Sequence, residues 1–230
     1  MSSSSSPATR RGEQAREQLI QVAIALFGES GQHATTREIA AGAGQNIAAI
    51  TYYFGSKEAL YLAAAQWIAD LISHQHTPLL EKAGQILNHP KTPRGEIRAA
   101  ILDICGQLAQ AMTDDQTMAV SKFIYREQLS PGSAYSLLHR QVFVPLHSRL
   151  TALFARYCGL PESDTTTLLH VHALLGEILA FRIGRETLLQ RTGWNGFDAE
   201  STRVIQSVIT AHITLILDGL SAEPGTARYE

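Results

Sequence analysis

Residues 35–57 read TTREIAAGAGQNIAAITYYFGSK, and this stretch decides the fold. Thr35 and Glu38 stand at the capping-box spacing, in which a hydroxyl and a carboxylate satisfy the first open amides of a helix. That helix is short, because Gly42 and Gly44 interrupt it after Ile39, Ala40 and Ala41. Ile47 to Tyr53 then resume a helical, apolar and aromatic pattern. Two short helices across a glycine-containing turn make a helix-turn-helix.

Working outward, Leu19, Val22, Ala23, Leu26 and Phe27 repeat at helical spacing between Glu13 and Ser30, and Gly31 stops that helix. Downstream, Gly55 and Ser56 break the chain, with Ser56 as the N-cap of a helix whose apolar face runs from Leu60 through Ala64, Trp67, Ile68 and Leu71 to about Ser73. Pro78, Pro90 and Pro93 thin the pattern between residues 77 and 94, the best candidate for a junction. Helical patterns return around 96–112, 117–128, 135–157, 164–190 and 201–220, and none alternates with period two over a useful length. The expectation is an all-α protein of nine or ten helices. A disordered tail over 1–12 would precede a three-helix DNA-binding domain over 13–60 and a larger helical effector-binding and dimerisation domain over 61–230.

The 230 residues are 45% hydrophobic and 17% charged, with 17 Gly, 8 Pro and 2 Cys, which excludes collagen-like, disulfide-dense and largely disordered chains. A net charge of −2 gives no global basic field, so any polyanion site must be local. Cys105 and Cys158, without CxxC spacing, read as reduced, buried thiols of a cytoplasmic protein. No stretch reads as the run of about 18 apolar residues that a membrane span needs. The Ser2–Ser6 run lacks the apolar core of a secretory signal and reads as a tail. Arg10 and Arg11 leave open a basic arm entering a DNA groove.

A helix-turn-helix offers its second helix to the major groove, and the residues can be read on that basis. At the N-terminus of the Thr36 helix, Thr35 and Thr36 have hydroxyl and backbone donors for a phosphate, and Arg37 has the reach for a guanine edge or a phosphate. Residues 46–53 form the expected recognition helix, with Ala48 and Ala49 small enough for close approach and Thr51 and Tyr53 offering hydroxyls to phosphates. Lys57 adds a point charge. Arg10, Arg11, Arg16, Arg37 and Lys57 are cancelled by Glu13, Glu17, Glu29, Glu38 and Glu58. From pattern alone, a DNA reader and a small helical subdomain with two adjacent tyrosines therefore both stand.

The ordered elements Thr35–Ala40, Gly42-Ala43-Gly44 and Ile50–Leu60 resemble the N-terminal signature of TetR-family transcriptional regulators. Together with Ser121–Ile124, Arg126–Pro131 and Gly176–Arg182, the whole chain resembles the CecR-type branch of that family. The resemblance implies a homodimer on a pseudo-palindromic double-stranded DNA operator, repressing transcription until a small-molecule effector in the C-terminal domain changes the separation of the recognition helices. By position it puts Arg37 at a base or phosphate, Asn46, Ile47 and Ala48 at bases, Thr51, Tyr53 and Lys57 at phosphates, and Tyr52 on the core-facing side. Thr51 departs from a frequent aromatic and Tyr53 from a frequent His. Since Ile47, Ala48 and Ala49 cannot donate bidentate hydrogen bonds, specificity falls to Arg37, Gln45, Asn46, thymine-methyl contacts and DNA shape.

The helices at 164–190 and 201–220 are apolar on more than one face, which fits a two-fold, four-helix dimer interface; a large monomeric bundle is the other way to cover them. Phe123, Arg126, Glu127, His147, His170 and Glu177 are candidate effector contacts, as polar or aromatic groups within apolar helices. His170 and His172 are two apart, on different helix faces, so no metal site is expected, and no cofactor or catalytic motif is present. Two other classes fit the body: an all-helical small-molecule enzyme or carrier, and a DNA-binding dimer regulated by a protein partner, which predicts an exposed apolar patch.

Overall fold

The computed structural model describes residues 7–221. Among these the regular elements are helical throughout: α1 (Pro7–Ser30), α2 (Thr36–Gly42), α3 (Ala48–Phe54), α4 (Lys57–Asn88), α5 (Arg94–Thr113), α6 (Met118–Leu129), α7 (Tyr135–Leu138), α8 (Val144–Cys158), α9 (Thr165–Ile183), α10 (Arg185–Thr192) and α11 (Ala199–Ser221). A π-helical turn over His139–Phe143 joins α7 to α8, so the described residues form ten continuous rods, the all-α fold expected.

Two boundaries differ from expectation. The first is the start of α1 at Pro7 rather than Glu13. Proline is tolerated in a first turn, where its missing N–H has no intrahelical partner to lose, so residues 7–12 of the expected tail are helical. Residues 1–6 lie outside the described residues. The second is α4, which runs through Pro78 to Asn88 instead of ending near Ser73. A proline inside a helix removes a ladder bond. Here Ala83 and Ile86 on the far side are buried, and their packing carries the helix past the break.

The chain forms two compact units that do not divide at residue 60: one holds residues 7–73 with 118–142, the other 74–117 with 143–221. The first unit is built on Leu19, Ala23, Ile24 and Phe27 of α1, Ile39 of α2, Ile50 of α3, Leu60, Tyr61 and Ile68 of α4, and Phe123 of α6. Phe27 meets Tyr61 edge-on at 4.8 Å, and Tyr61 stacks on Phe123 at 4.9 Å. The backbones of α1 and α6 come close at Gly28, where an added Cβ would lie 3.1 Å from the carbonyl oxygen of Ala119 and 3.2 Å from the Phe123 nitrogen.

In the second unit, Ile97, Ile101 and Ile104 of α5, Leu150, Leu153 and Phe154 of α8, Val171, Leu174 and Ile178 of α9, and Ile205, Ile209, Ile213 and Leu217 of α11 make one core. α9 and α11 are, contrary to expectation, each long and apolar enough to cross a membrane by length and composition. The window average tolerates the scattered polar residues that break an unbroken apolar run. Each helix buries a single face at spacings of three or four residues, as Ile205, Ile209, Ile213 and Leu217 do. Outside that core, Leu168, Leu169 and Ile183 of α9 and Val204, Val208 and Leu215 of α11 are exposed.

Three helix C-termini, whose last carbonyls lack intrahelical partners, are closed by arginines from elsewhere in the fold. Arg126 donates to the carbonyls of Gly28 (3.3 Å) and Glu29 (2.6 Å) at the end of α1. Arg156 donates to Ile86 (2.8 Å), Leu87 (3.1 Å) and His89 (2.5 Å) at the end of α4. The buried Arg182 donates to Ala111 and Asp114, both at 2.7 Å, and to the Thr117 hydroxyl at 2.6 Å, at the end of α5.

Candidate nucleic-acid interface

The capping box read from Thr35 and Glu38 forms. The Thr35 hydroxyl accepts from the Glu38 N–H (3.2 Å) and donates to the Glu38 carboxylate, which also accepts the Thr35 N–H, both at 2.7 Å. These bonds hold the Glu38 carboxyl below the usual carboxylate range, the backbone bond of Thr35 first and its hydroxyl second. They also use the Thr35 hydroxyl twice, so the exposed Arg37 and half-buried Thr36 are the outward groups on this turn.

Gly44, at φ +63°, makes the tight turn to α3 in a backbone region that side chains disfavour. The recognition helix starts at Ala48, two residues later than expected, because Asn46 makes an Asx turn leading into it: its Oδ1 accepts the Ala48 N–H at 2.9 Å. The Asn46 amide nitrogen is left as the group to offer a base, which matches the acceptors on purine edges. Gln45 reaches back to Gln18 at a long 3.4 Å.

Ile50 is 2% exposed and fixes the orientation of α3. With 100° per residue, Ala48, Thr51 and Tyr52 then share the opposite, exposed face, and Ile47, just before the helix, is exposed as well. This corrects the expected placement of the tyrosines. Tyr52, expected to face the core, is 81% exposed, whereas Tyr53 follows Ile50 by three residues and is half-buried. The Tyr53 hydroxyl lies beside the backbone of α1, 3.6 Å from where a Cβ at Gly12 would stand. Tyr52 is therefore the residue sequence reasoning missed, and counting helical turns from Ile50 would have found it. Lys57, half-buried at the start of α4, donates to the Gln32 carbonyl at 2.5 Å, which fixes where its charge sits.

Three of the acidic residues that cancel this positive charge are engaged within the unit. Glu29 pairs with Lys122, Glu38 caps α2, and Glu58 accepts from Gln32 at 3.2 Å.

The six candidate effector contacts are split between the units. In the first unit, Phe123 is core, Arg126 closes α1, and the buried Glu127 accepts from the Tyr61 hydroxyl (2.5 Å) and the Gly132 N–H (3.1 Å). In the second, His147 stacks on His172 at 5.8 Å, His170 stacks on Phe154 at 6.0 Å, and Glu177 contacts His212 at 2.5 Å. Burial, then the neighbouring His172, lowers the His147 pKa. Burial pushes the Cys105 thiol up to about 12 and the Cys158 thiol up to about 11, as expected of structural cysteines.

Residues 19–64 match the family described as bacterial regulatory proteins, tetR family. Residues 97–220, more than half of the chain, match the C-terminal domain of the HTH-type transcriptional dual regulator CecR. A Shigella flexneri protein described as HTH-type transcriptional dual regulator CecR is 58% identical over 213 residues, covering 93% of this chain and 96% of that protein. The chain belongs to the TetR family, in its CecR-type branch. It is thus a member of a family of DNA-binding transcriptional regulators.

Two solved structures carry the TetR-like fold across low sequence identity. A Rhodococcus transcriptional regulator superposes with a TM-score of 0.57 at 17% identity, covering 91% of this chain and 99% of that one. SmeT, the repressor of the Stenotrophomonas maltophilia multidrug efflux pump SmeDEF, gives 0.52 at 20% identity, covering 93% and 96%. In TetR-family terms, α2 and α3 are the helix-turn-helix, and Ala48, Thr51 and Tyr52 form the outward face of its second helix.

Proposed function

We propose that this TetR-family regulator is a cytoplasmic one-component repressor that binds a pseudo-palindromic operator as a homodimer and leaves it when a small-molecule effector binds. The observation that carries the reading is the exposed face of α3, with Arg37 at its flank and Lys57 one turn beyond its end. Such a face suits a major groove, with Ile47 and Ala48 against thymine methyls, Asn46 and Gln45 at base edges, and Thr36, Thr51, Tyr52 and Lys57 toward phosphates. The exposed apolar residues of α9 and α11 supply the dimer surface, since a helix apolar beyond its core face is covered by something else. Effector control requires that the ligand bind one of two arrangements more tightly; His147, His170 and Glu177 of the second unit are the candidate contacts. No catalytic step enters this function.

Selection of the purified protein against a random duplex pool tests it. An enriched inverted repeat is expected, its half-site spacing reporting the separation of the two recognition helices; a pool without enrichment overturns the reading. On the selected site, Lys57→Ala is expected to weaken all duplexes about equally and to reduce the slope of log affinity against log salt by about one. Arg37→Ala is expected to relax one operator position at a cost of about 1–3 kcal/mol. That the Shigella flexneri relative is a dual regulator favours a second reading, in which the same DNA contacts also activate a promoter. Transcription in vitro from promoters carrying the site at different positions separates the two.

A further inference from the structure

Residues 118–142 return to the unit that carries the helix-turn-helix, although the intervening chain from residue 74 to residue 117 belongs to the other unit. α6 is seated there by two adjacent side chains that point to different helices. Arg126 grips α1 through the Gly28 and Glu29 carbonyls, and Glu127 grips α4 through the Tyr61 hydroxyl. Gly31, two residues beyond Glu29, has φ +57°, and a Cβ there would stand 2.9 Å from the Arg126 Cδ, so the turn is shaped around this guanidinium.

The next links return to the DNA-facing charge. Gln32 follows Gly31, and its carbonyl accepts the Lys57 ammonium. Lys57 and Tyr61 are four apart on α4, one turn above the other. The bonds therefore close a ring: Arg126 to the end of α1, the turn at Gln32 to Lys57, Lys57 along α4 to Tyr61, and Tyr61 back to Glu127. Glu127 is 2% exposed, so its carboxylate has no water to replace Tyr61 and Gly132.

We propose that Arg126 and Glu127 are positioning residues for operator binding, a two-pronged bracket by which α6 sets the α1–α2 turn and the seat of Lys57. The inference rests on the DNA-binding reading and deepens it. Neither side chain contacts DNA in this scheme. Arg126 acts through the Gln32 turn, and Glu127 acts through Tyr61.

The test uses the full-length protein on its selected operator and on an unrelated duplex, at several salt concentrations and well below each variant's unfolding transition. Arg126→Ala is expected to weaken the operator complex about tenfold, the weight of one charge-assisted hydrogen bond, and to lower the salt slope by no more than the loss that Lys57→Ala gives, because the phosphate contact at stake is that of the lysine it seats. Combined with Lys57→Ala, its effect is expected to shrink, because the lysine it positions is gone. Arg126→Lys, with a single ammonium for two carbonyls, recovers part of the affinity. Tyr61→Phe, which cuts the other prong, weakens the operator with the same bounded change of slope and serves if Arg126→Ala does not fold. A merely structural arginine would lower the unfolding temperature and leave the affinity of the folded protein alone. Wild-type operator affinity in folded Arg126→Ala or Tyr61→Phe, or independent effects of Arg126→Ala and Lys57→Ala, would overturn the proposal. If the wild type itself prefers no duplex, the DNA-binding reading falls, and this inference falls with it.

Discussion

Replacing Leu169 and Leu215 together by glutamate is expected to produce a folded monomer whose operator affinity is at least about a hundredfold lower, because two half-sites are no longer held by one linked particle. Leu169 on α9 is 61% exposed and Leu215 on α11 is 69% exposed, so in the single chain neither substitution removes core packing. In a two-fold interface each substitution appears twice, and four carboxylates would have to leave water without partners. The unfolding temperature of the chain at low concentration is therefore expected to stay near its original value while the assembly is lost. Sedimentation equilibrium reads the assembly, and duplex titration reads the affinity. A double variant that remains dimeric would show that these faces are not the dimer surface.

Phe27→Ala is expected to have the largest effect on stability. The ring is fully buried and meets Tyr61 edge-on at 4.8 Å, and Tyr61 in turn lies against Phe123, so three aromatic rings from α1, α4 and α6 lean on one another. Removing one ring from such a cluster costs about 3–5 kcal/mol, a large part of the roughly 5–15 kcal/mol that holds a typical protein folded. Urea unfolding, followed through far-UV circular dichroism, measures it as a shift of the first transition. A loss under about 1 kcal/mol would mean that the cluster closes over the gap and does not carry the unit.

The parts of this molecule that were legible in the sequence are those governed by neighbours three or four residues away. Thr35 and Glu38 could be read because a capping box is a local bargain between adjacent turns, and the glycines at 42 and 44 mark the turn for equally local reasons. Pro78 misled because the local rule ends a helix there, while Ala83 and Ile86 are held by a core the local rule does not see. The tyrosines were exchanged because their roles came from family position; the spacing from Ile50 carried the right answer. Arg126 and Glu127 were read as effector contacts because a polar pair within an apolar helix has that look. Their partners lie at Gly28, Glu29 and Tyr61, 66 to 98 residues earlier, and no periodicity reports a contact at that distance.

The arginines that close α1, α4 and α5 have a consequence for how the protein meets changes of acidity. A guanidinium stays protonated throughout the physiological range, so these three brackets neither gain nor lose a proton as the cell interior drifts. A lysine or histidine in the same places would have tied each helix end to a titration. With arginine, none of these three helix ends hangs on a titration.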